Sequence, residues 1–440
     1  MLEERLDAGL HVLRTKAAKV VAMPLVWLHF HTNVESFRES QVQQVASGTQ
    51  LIARLQRRMR TRELDALFQL ISLLGEEDFI IFAISFVTWN VDHALGRKLL
   101  LLVCMGLLIA NIYKDIFQLP RPASPPVWKP KGQESVNSSR EYGLPSSHAS
   151  TAIASSIFLF LSATCDPDTS SVSCVPRAMS DPHNHVWILL CIAYYVSVSF
   201  SRLYLGMHSP TDLRAGTIVG LLWVILYFPF SAMVDRYIVT SSWLGLQVFL
   251  LSAFLFFIIP QPRLTTPTVL LNALLVGVMG GAVLGSRAMI DHGFLPSANN
   301  SAGVFLSNDH VAHVGTWTSA AAVASIRAWA LAWPRLAVFV RTIVGMVVVL
   351  LVRTLAKIIT MPILRLVGLL PGGRKADGEA SQTSASKVPA LAPESDDIVC
   401  LFSRDTDILG NMIAKLIINE FLGLGILYFA PMFLVRSGLA

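Results

Sequence analysis

The 440-residue chain is 53% hydrophobic and only 15% charged, with a mean hydropathy of +0.56. A soluble domain carries about 25% charged residues, so a deficit spread over this length excludes an ordinary soluble protein and implies several membrane spans. The net charge of +6 falls between apolar stretches, where positive-inside bias and anionic headgroups explain it; no continuous basic face suits a nucleic acid.

In chain order, residues 1–64 read as an amphipathic region, cytosolic or at the membrane interface. Val20 to Phe30 is apolar, but Pro24, His29 and His31 interrupt or flank it, and no small-residue cleavage site follows. A span needs about 20 mainly apolar residues. Candidates run 67–90, 98–113, 147–163, 186–204, 213–231, 243–260, 268–286, 336–361 and 412–435. They predict an all-α, polytopic integral membrane helical bundle of about nine spans, eight to ten allowing for boundary error. Glu76, Glu77 and Asp78 interrupt the first candidate and put its start at the interface; the second is short and ends before Lys114. Between Pro371 and Asp397 the composition shifts to Gly, Ser, Ala, Pro and Lys, which predicts a disordered loop. The expected division is 1–64, a membrane core at 65–232, additional helices at 233–370, the loop at 371–398 and a last membrane helix at 399–440. No internal repeat is visible.

Ionisable residues at the membrane edge are expensive and are candidates for function. Three clusters stand out: Lys114 with Arg121-Pro122; Leu144-Pro145-Ser146-Ser147-His148; and Ser201-Arg202 with His208-Ser209-Pro210-Thr211-Asp212. The third span leaves the face that holds the first two clusters, and the fourth returns to it with Arg202 and His208. All three clusters therefore share one side of the membrane. Lys114, Arg121 and Arg202 supply three fixed cations and Ser146 a hydroxyl, a set suited to phosphate. Pro145-Ser146-Ser147 and Ser209-Pro210 each open a helix, whose free amides and positive dipole end favour an anion. A neutral histidine can attack phosphorus if a partner fixes its tautomer, and Asp212 lies four residues beyond His208; His148 can protonate the leaving group and later activate water. No carboxylate cluster calls for a metal, so no metal or other cofactor is expected. Singly, each residue has a plainer reading: Lys114 and Arg202 can snorkel to headgroups, and Asp212 can be a capping-box residue. Their order and shared face favour one site.

The set Lys114-x6-Arg121-Pro122, Pro145-Ser146-Ser147-His148 and Ser201-Arg202-x5-His208-x3-Asp212 resembles the three-part signature of the PAP2 (type 2 phosphatidate phosphatase) superfamily. The resemblance implies a six-helix catalytic core. It implies Lys114, Arg121, Ser146, Ser147 and Arg202 as phosphate ligands, His148 as general acid, His208 as nucleophile and Asp212 as its partner. The superfamily usually has glycine where this chain has Ser147. A small hydroxyl residue there, Arg121-Pro122-Ala123-Ser124-Pro125-Pro126, Glu141-Tyr142-Gly143-Leu144, and Trp89-Asn90-Val91-Asp92 are similar to the sphingosine-1-phosphate phosphatase branch. That branch implies hydrolysis of long-chain-base 1-phosphates drawn from the bilayer, in the endoplasmic reticulum membrane. Phosphatidate or polyprenyl diphosphate as substrate, phosphotransfer to a lipid alcohol, and a non-catalytic lipid-binding protein or transporter are the rival expectations.

Other features offer less. Cys165 and Cys174 share a loop and could pair only in an oxidising lumen; two free thiols are the simpler expectation. Asp291-His292 and Asp309-His310 with His313 lack a clearly spaced third metal ligand, and Lys415 and Glu420 are intramembrane charges with no assigned partner. Arg54, Arg57, Arg58, Arg60 and Arg62 argue for a cytosolic N-terminus. Two spans later the clusters would also be cytosolic, whereas the resemblance implies a lumenal site.

Overall fold

The computed structural model describes residues 24–131, 141–164, 182–258, 261–262, 266–294, 320–370, 398–399 and 406–439. The expected loop at 371–397, Cys165, Cys174, His310 and His313 lie outside them. The described chain is helical apart from two short strands, Gln261–Pro262 and Ile398–Val399, paired antiparallel.

Helix α1 (Pro24–Met59) leads into α2 (Arg62–Leu73), α3 (Glu77–Asn90) and α4 (His93–Phe117). Next come α5 (Ser147–Thr164), α6 (Pro182–Tyr204), α7 (Pro210–Thr240), α8 (Leu244–Ile258) and α9 (Pro267–Asp291). The chain ends with α10 (Ala320–Ala332), α11 (Pro334–Leu366), α12 (Thr406–Leu424), a π-helical turn (Gly425–Phe429) and α13 (Ala430–Ser437). Among the described residues, six helices are long and apolar enough to cross a membrane: α4, α6, α7, α9, α11 and the segment Leu409–Ser437. The other three expected spans correspond to a broken segment, to α5 with its buried serines and threonines, and to the short α8.

Residues 67–90 form two helices rather than one. The chain turns at Leu74–Glu76, where polar residues replace the apolar run. Gly75 is required there, since a Cβ would stand 2.7 Å from Cδ2 of His148. From that turn α3 runs away from the site and α4 returns to it, with Lys114 in its last turn.

Burial separates inner helices from lipid-facing ones. In the most apolar window, α4 buries 67% and α9 72%, but α6, α7 and α11 only 22% each. Rows such as Leu189, Ile192 and Val196 on α6, and Ile218, Leu222 and Ile225 on α7, are exposed. Such patches need lipid to cover them, and the protein is an integral membrane protein. Within the bundle, Trp89, Leu100, Leu108, Phe158, Val276 and Leu427 share the main core. Close packing in lipid depends on small residues. On α9, Gly277 and Gly281 seat against the backbone of Leu416 and Glu420 on α12.

Trp89 donates from Nε1 to the Ile426 carbonyl (2.9 Å), and Asn90 from Nδ2 to Thr342 (3.1 Å). Asp92 caps α4, accepting from the Leu95 amide. The Trp89–Asp92 motif thus fastens the C-terminal helices to α3 and α4. A stripe on α1 (Val45, Thr49, Ile52, Gln56) is buried. Gln56 bonds the Trp128 and Tyr204 carbonyls (2.9 and 2.7 Å) and the Trp128 amide (2.9 Å). Helix α1 therefore braces the loops that carry the site.

Candidate active site

Two helix starts meet at the centre. Ser209 caps α7 with Pro210 at its first turn, and Asp212 closes a capping box: the Ser209 hydroxyl accepts from the Asp212 amide (3.2 Å) while Asp212 Oδ2 accepts from the Ser209 amide (2.7 Å). Ser146 plays a similar part for α5, its Oγ accepting from the Ala149 amide at 3.4 Å. The two starts are joined directly, for the Ser146 amide donates to the Asp212 carbonyl at 3.0 Å. Gly216 and Gly220, one turn apart on α7, make this approach possible by packing on the backbone of Ser146 and Ser150. Free amide groups at both starts give the region a positive potential.

The remaining groups arrive from three directions. Helix α4 ends in a left-handed residue, Gln118, and delivers Lys114, whose Nζ donates to the Ser147 hydroxyl at 3.1 Å. Arg121 pairs with Glu141 at 2.6 Å. Helix α6 ends at Tyr204, and Gly206 (φ +68°) turns the chain beneath Val127 so that Arg202 and His208 face the same space. Arg202 Nη1 donates to Ser72 Oγ (2.6 Å) and to Glu76 Oε1 (3.0 Å). Ser146, His208 and Asp212 are fully buried.

His208 Nδ1 points toward Asp212 Oδ2 at 3.8 Å, beyond hydrogen-bond reach, and neither ring nitrogen has a hydrogen-bond partner. The rings of His208 and His148 are 6.3 Å apart. Burial pushes the His208 pKa well below the usual imidazole value, and the charges of Arg121, Arg202 and Lys114 push it further. A neutral imidazole with one nitrogen toward a carboxylate and the other unpartnered is the form a nucleophile requires. Asp212 serves both as cap and as neighbour of His208.

All eight residues singled out in the sequence converge here. Ser147, the departure from glycine, supplies the acceptor that holds Lys114. Glu76 was missed as a participant. Its Oε1 lies 3.5 Å from His148 Nε2 and 3.0 Å from Arg202. Although it occupies the cap position of α3, its side chain makes no cap hydrogen bond. The His148 side chain beside it, and after it the Arg202 guanidinium, hold its pKa down at about 2. An acidic residue interrupting an apolar run was the available signal. Glu141, the partner of Arg121, was visible only as part of a motif. Elsewhere, Asp291 pairs with Arg287 at 2.8 Å and His292 bonds Tyr428 at 2.8 Å, so both have structural partners. Among the described residues, no three His, Cys, Asp or Glu side chains form a metal-binding group.

Fold and cluster together define a polytopic membrane protein with a buried histidine–aspartate pair set among three cations. Residues 95–236 match the PAP2 superfamily. It is 29% identical over 205 residues to human sphingosine-1-phosphate phosphatase 2, covering 46% of each protein. It is 31% identical over 207 residues to a dihydrosphingosine 1-phosphate phosphatase of Saccharomyces cerevisiae (45% of this chain, 46% of the relative). With lipid phosphate phosphatase delta of Arabidopsis thaliana the identity is 29% over 248 residues (55% and 56%). The matched region thus spans about half the length of these relatives. No solved structure matches the chain.

Proposed function

We propose that the protein is a lipid phosphate phosphohydrolase that removes the phosphate of sphingosine 1-phosphate or a related long-chain-base 1-phosphate, through a phosphohistidine at His208. The observation that carries this reading is the buried His208, its Nδ1 toward Asp212 and its Nε2 unpartnered, 6.3 Å ring to ring from His148 and among Lys114, Arg121 and Arg202. Relatives named as sphingosine-1-phosphate and dihydrosphingosine 1-phosphate phosphatases support the substrate class.

The lone pair of His208 Nε2 attacks phosphorus. The P–O bond to the lipid breaks, and the alkoxide takes a proton from His148. Water then attacks the phosphohistidine and gives its proton to His148; the P–N bond breaks and the electron pair returns to Nε2. The balance is lipid phosphate plus water to lipid alcohol plus inorganic phosphate. Lys114, Arg121, Arg202, the Ser146 and Ser147 region and the helix starts stabilise the equatorial oxygens as charge spreads over them. Asp212 holds His208 in the reactive tautomer and stabilises the charge it gains. The headgroup enters from the membrane edge, and the endoplasmic reticulum membrane is the proposed location.

The test is phosphate release by purified protein in detergent with excess EDTA, from sphingosine 1-phosphate, phosphatidate and a polyprenyl diphosphate. Chelator-resistant release that favours the sphingoid phosphate and vanishes in His208→Ala is expected. Preference for another lipid, or activity retained by His208→Ala, would overturn the reading.

A further inference from the structure

We propose that Glu76 is a specificity-determining residue: its carboxylate gives up Arg202 to the substrate phosphate and then pairs with an ammonium carried beside that phosphate. The site would thereby favour lipid phosphates bearing a cationic amine. This rests on the phosphatase reading above.

The position of Glu76 is the first ground. Its carboxylate bridges Arg202 and His148, two groups the phosphate must also reach. Its side chain is 42% exposed while that of Arg202 is 5% exposed, so it stands at the mouth. No cap hydrogen bond ties it down. It lines an open cavity of about 440 Å³ together with Leu73, Glu77, Asp78 and Phe79.

Charge balance is the second ground. At rest the positive charges of Lys114, Arg121 and Arg202 face the negative charges of Glu76, Glu141 and Asp212, and Glu77 and Asp78 add negative charge along the cavity beside Glu76. A phosphate dianion adds two negative charges, and in a low-dielectric site such an excess is costly. Glu141 is 36% exposed and can release Arg121 by turning to water. Glu76 has less freedom. Gly75 abuts His148 and Val198, and Tyr194 donates to the Leu74 carbonyl at 3.1 Å, which pins the turn beside the site. Once phosphate takes Arg202 and the leaving alkoxide takes the proton of His148, the carboxylate of Glu76 faces the phosphate with no cation of its own. An ammonium two carbons from the phosphate ester oxygen removes that repulsion. Sphingoid-base 1-phosphates carry one; phosphatidate and N-acylated sphingoid phosphates do not. Leu73 and Phe79 offer apolar surface to the adjoining chain.

The test compares kcat/KM for sphingosine 1-phosphate and its N-acetyl analogue, which keeps the phosphate and chain but loses the charge. Full-length wild type, Glu76→Gln and Glu76→Asp would be measured in detergent. Wild type should prefer the amine. Glu76→Gln should cut that preference by about fivefold, the scale of a partly exposed ion pair, while Glu76→Asp keeps it. Equal losses on both substrates in Glu76→Gln would reduce Glu76 to a generic support of Arg202 and His148 and overturn the proposal. A second measurement needs no variant: phosphoethanolamine should displace a bound fluorescent phosphate ester from wild type more strongly than ethyl phosphate does. Equal displacement refutes the proposal. If wild type releases phosphate from neither lipid, the phosphatase reading fails, and the displacement comparison, repeated on Glu76→Gln, still judges Glu76: a preference for phosphoethanolamine that persists in the variant refutes the proposal.

Discussion

Replacing Gly216 with alanine tests whether catalysis depends on the meeting of the two helix starts. An added Cβ would overlap the Ser146 carbonyl oxygen and lie 3.1 Å from its carbonyl carbon and amide nitrogen. These are backbone atoms that no side-chain rotation can clear, so α5 and α7 must separate by a few tenths of an ångström or more. Overpacking of this kind costs about 1–3 kcal/mol, and alanine's helix propensity returns about 1 kcal/mol, leaving a net loss near 1 kcal/mol. The catalytic effect should be larger. The displacement moves Ser146 and His148 relative to Asp212 and His208, and a misplacement of about 1 Å can cost roughly 100-fold in rate. Gly245→Ala is the control, since nothing lies within 4 Å of its added Cβ. The assay pairs kcat/KM with thermal unfolding in detergent. Gly216→Ala should lose activity far out of proportion to stability, and Gly245→Ala should lose neither. Gly216→Ala with activity within threefold of wild type would refute the reasoning.

Ser147→Ala removes the acceptor from Lys114 in a pair whose members are both buried. A hydrogen bond to a charged group contributes about 1.5–3 kcal/mol, so unfolding in detergent should come earlier by that order; an unchanged midpoint would show that the contact is idle. The lowered pKa of His208 carries a stability consequence with a definite sign. Between its folded and unfolded values the unfolded chain binds the extra proton, so this contribution is full above about pH 6.5 and is lost as the pH falls below it. Glu76, held at about 2, loses its contribution only below pH 4.5, outside this window. His208→Asn should therefore flatten the fall in melting temperature between pH 7 and 5; a slope equal to wild type would contradict the burial of a neutral imidazole. Glycosylation mapping tests sidedness. An acceptor engineered among residues 165–181, which follow the end of α5 remote from Ser147, should stay unmodified if the site is lumenal, and its modification would place the site in the cytosol.

The site was legible in the sequence because its parts are chemically conspicuous. Cations and histidines at the ends of apolar runs, taken together, ask for more than snorkelling to headgroups, and the parity of the helices places them on one face from sequence alone. The Ser209–Asp212 capping box was likewise readable as a local pattern, although its choice between cap and histidine partner was not; the geometry allows both. Less legible was whatever depends on distant packing. Glu76 lies 72 residues before His148 in sequence, and nothing local shows that the turn at Gly75 folds onto that ring. The 67–90 segment read as one span because its apolar content outweighs its acidic interruption, yet the close approach of Gly75 to His148 breaks it in two. Gly216 and Gly220 look like ordinary helix glycines until Ser146 and Ser150 are seen against them. The role of Trp89, bonded to the Ile426 carbonyl across 337 residues, was equally beyond sequence reach.

The most direct test of the central claim is to trap the enzyme-bound phosphate. Full-length protein would be mixed with sphingosine 1-phosphate labelled in the phosphate, quenched in alkali within a turnover, and digested for peptide mapping. The account predicts an acid-labile, alkali-stable label on the peptide containing His208, absent from His208→Ala. Label on a different residue, or steady phosphate release with no labelled enzyme at any time, would contradict it.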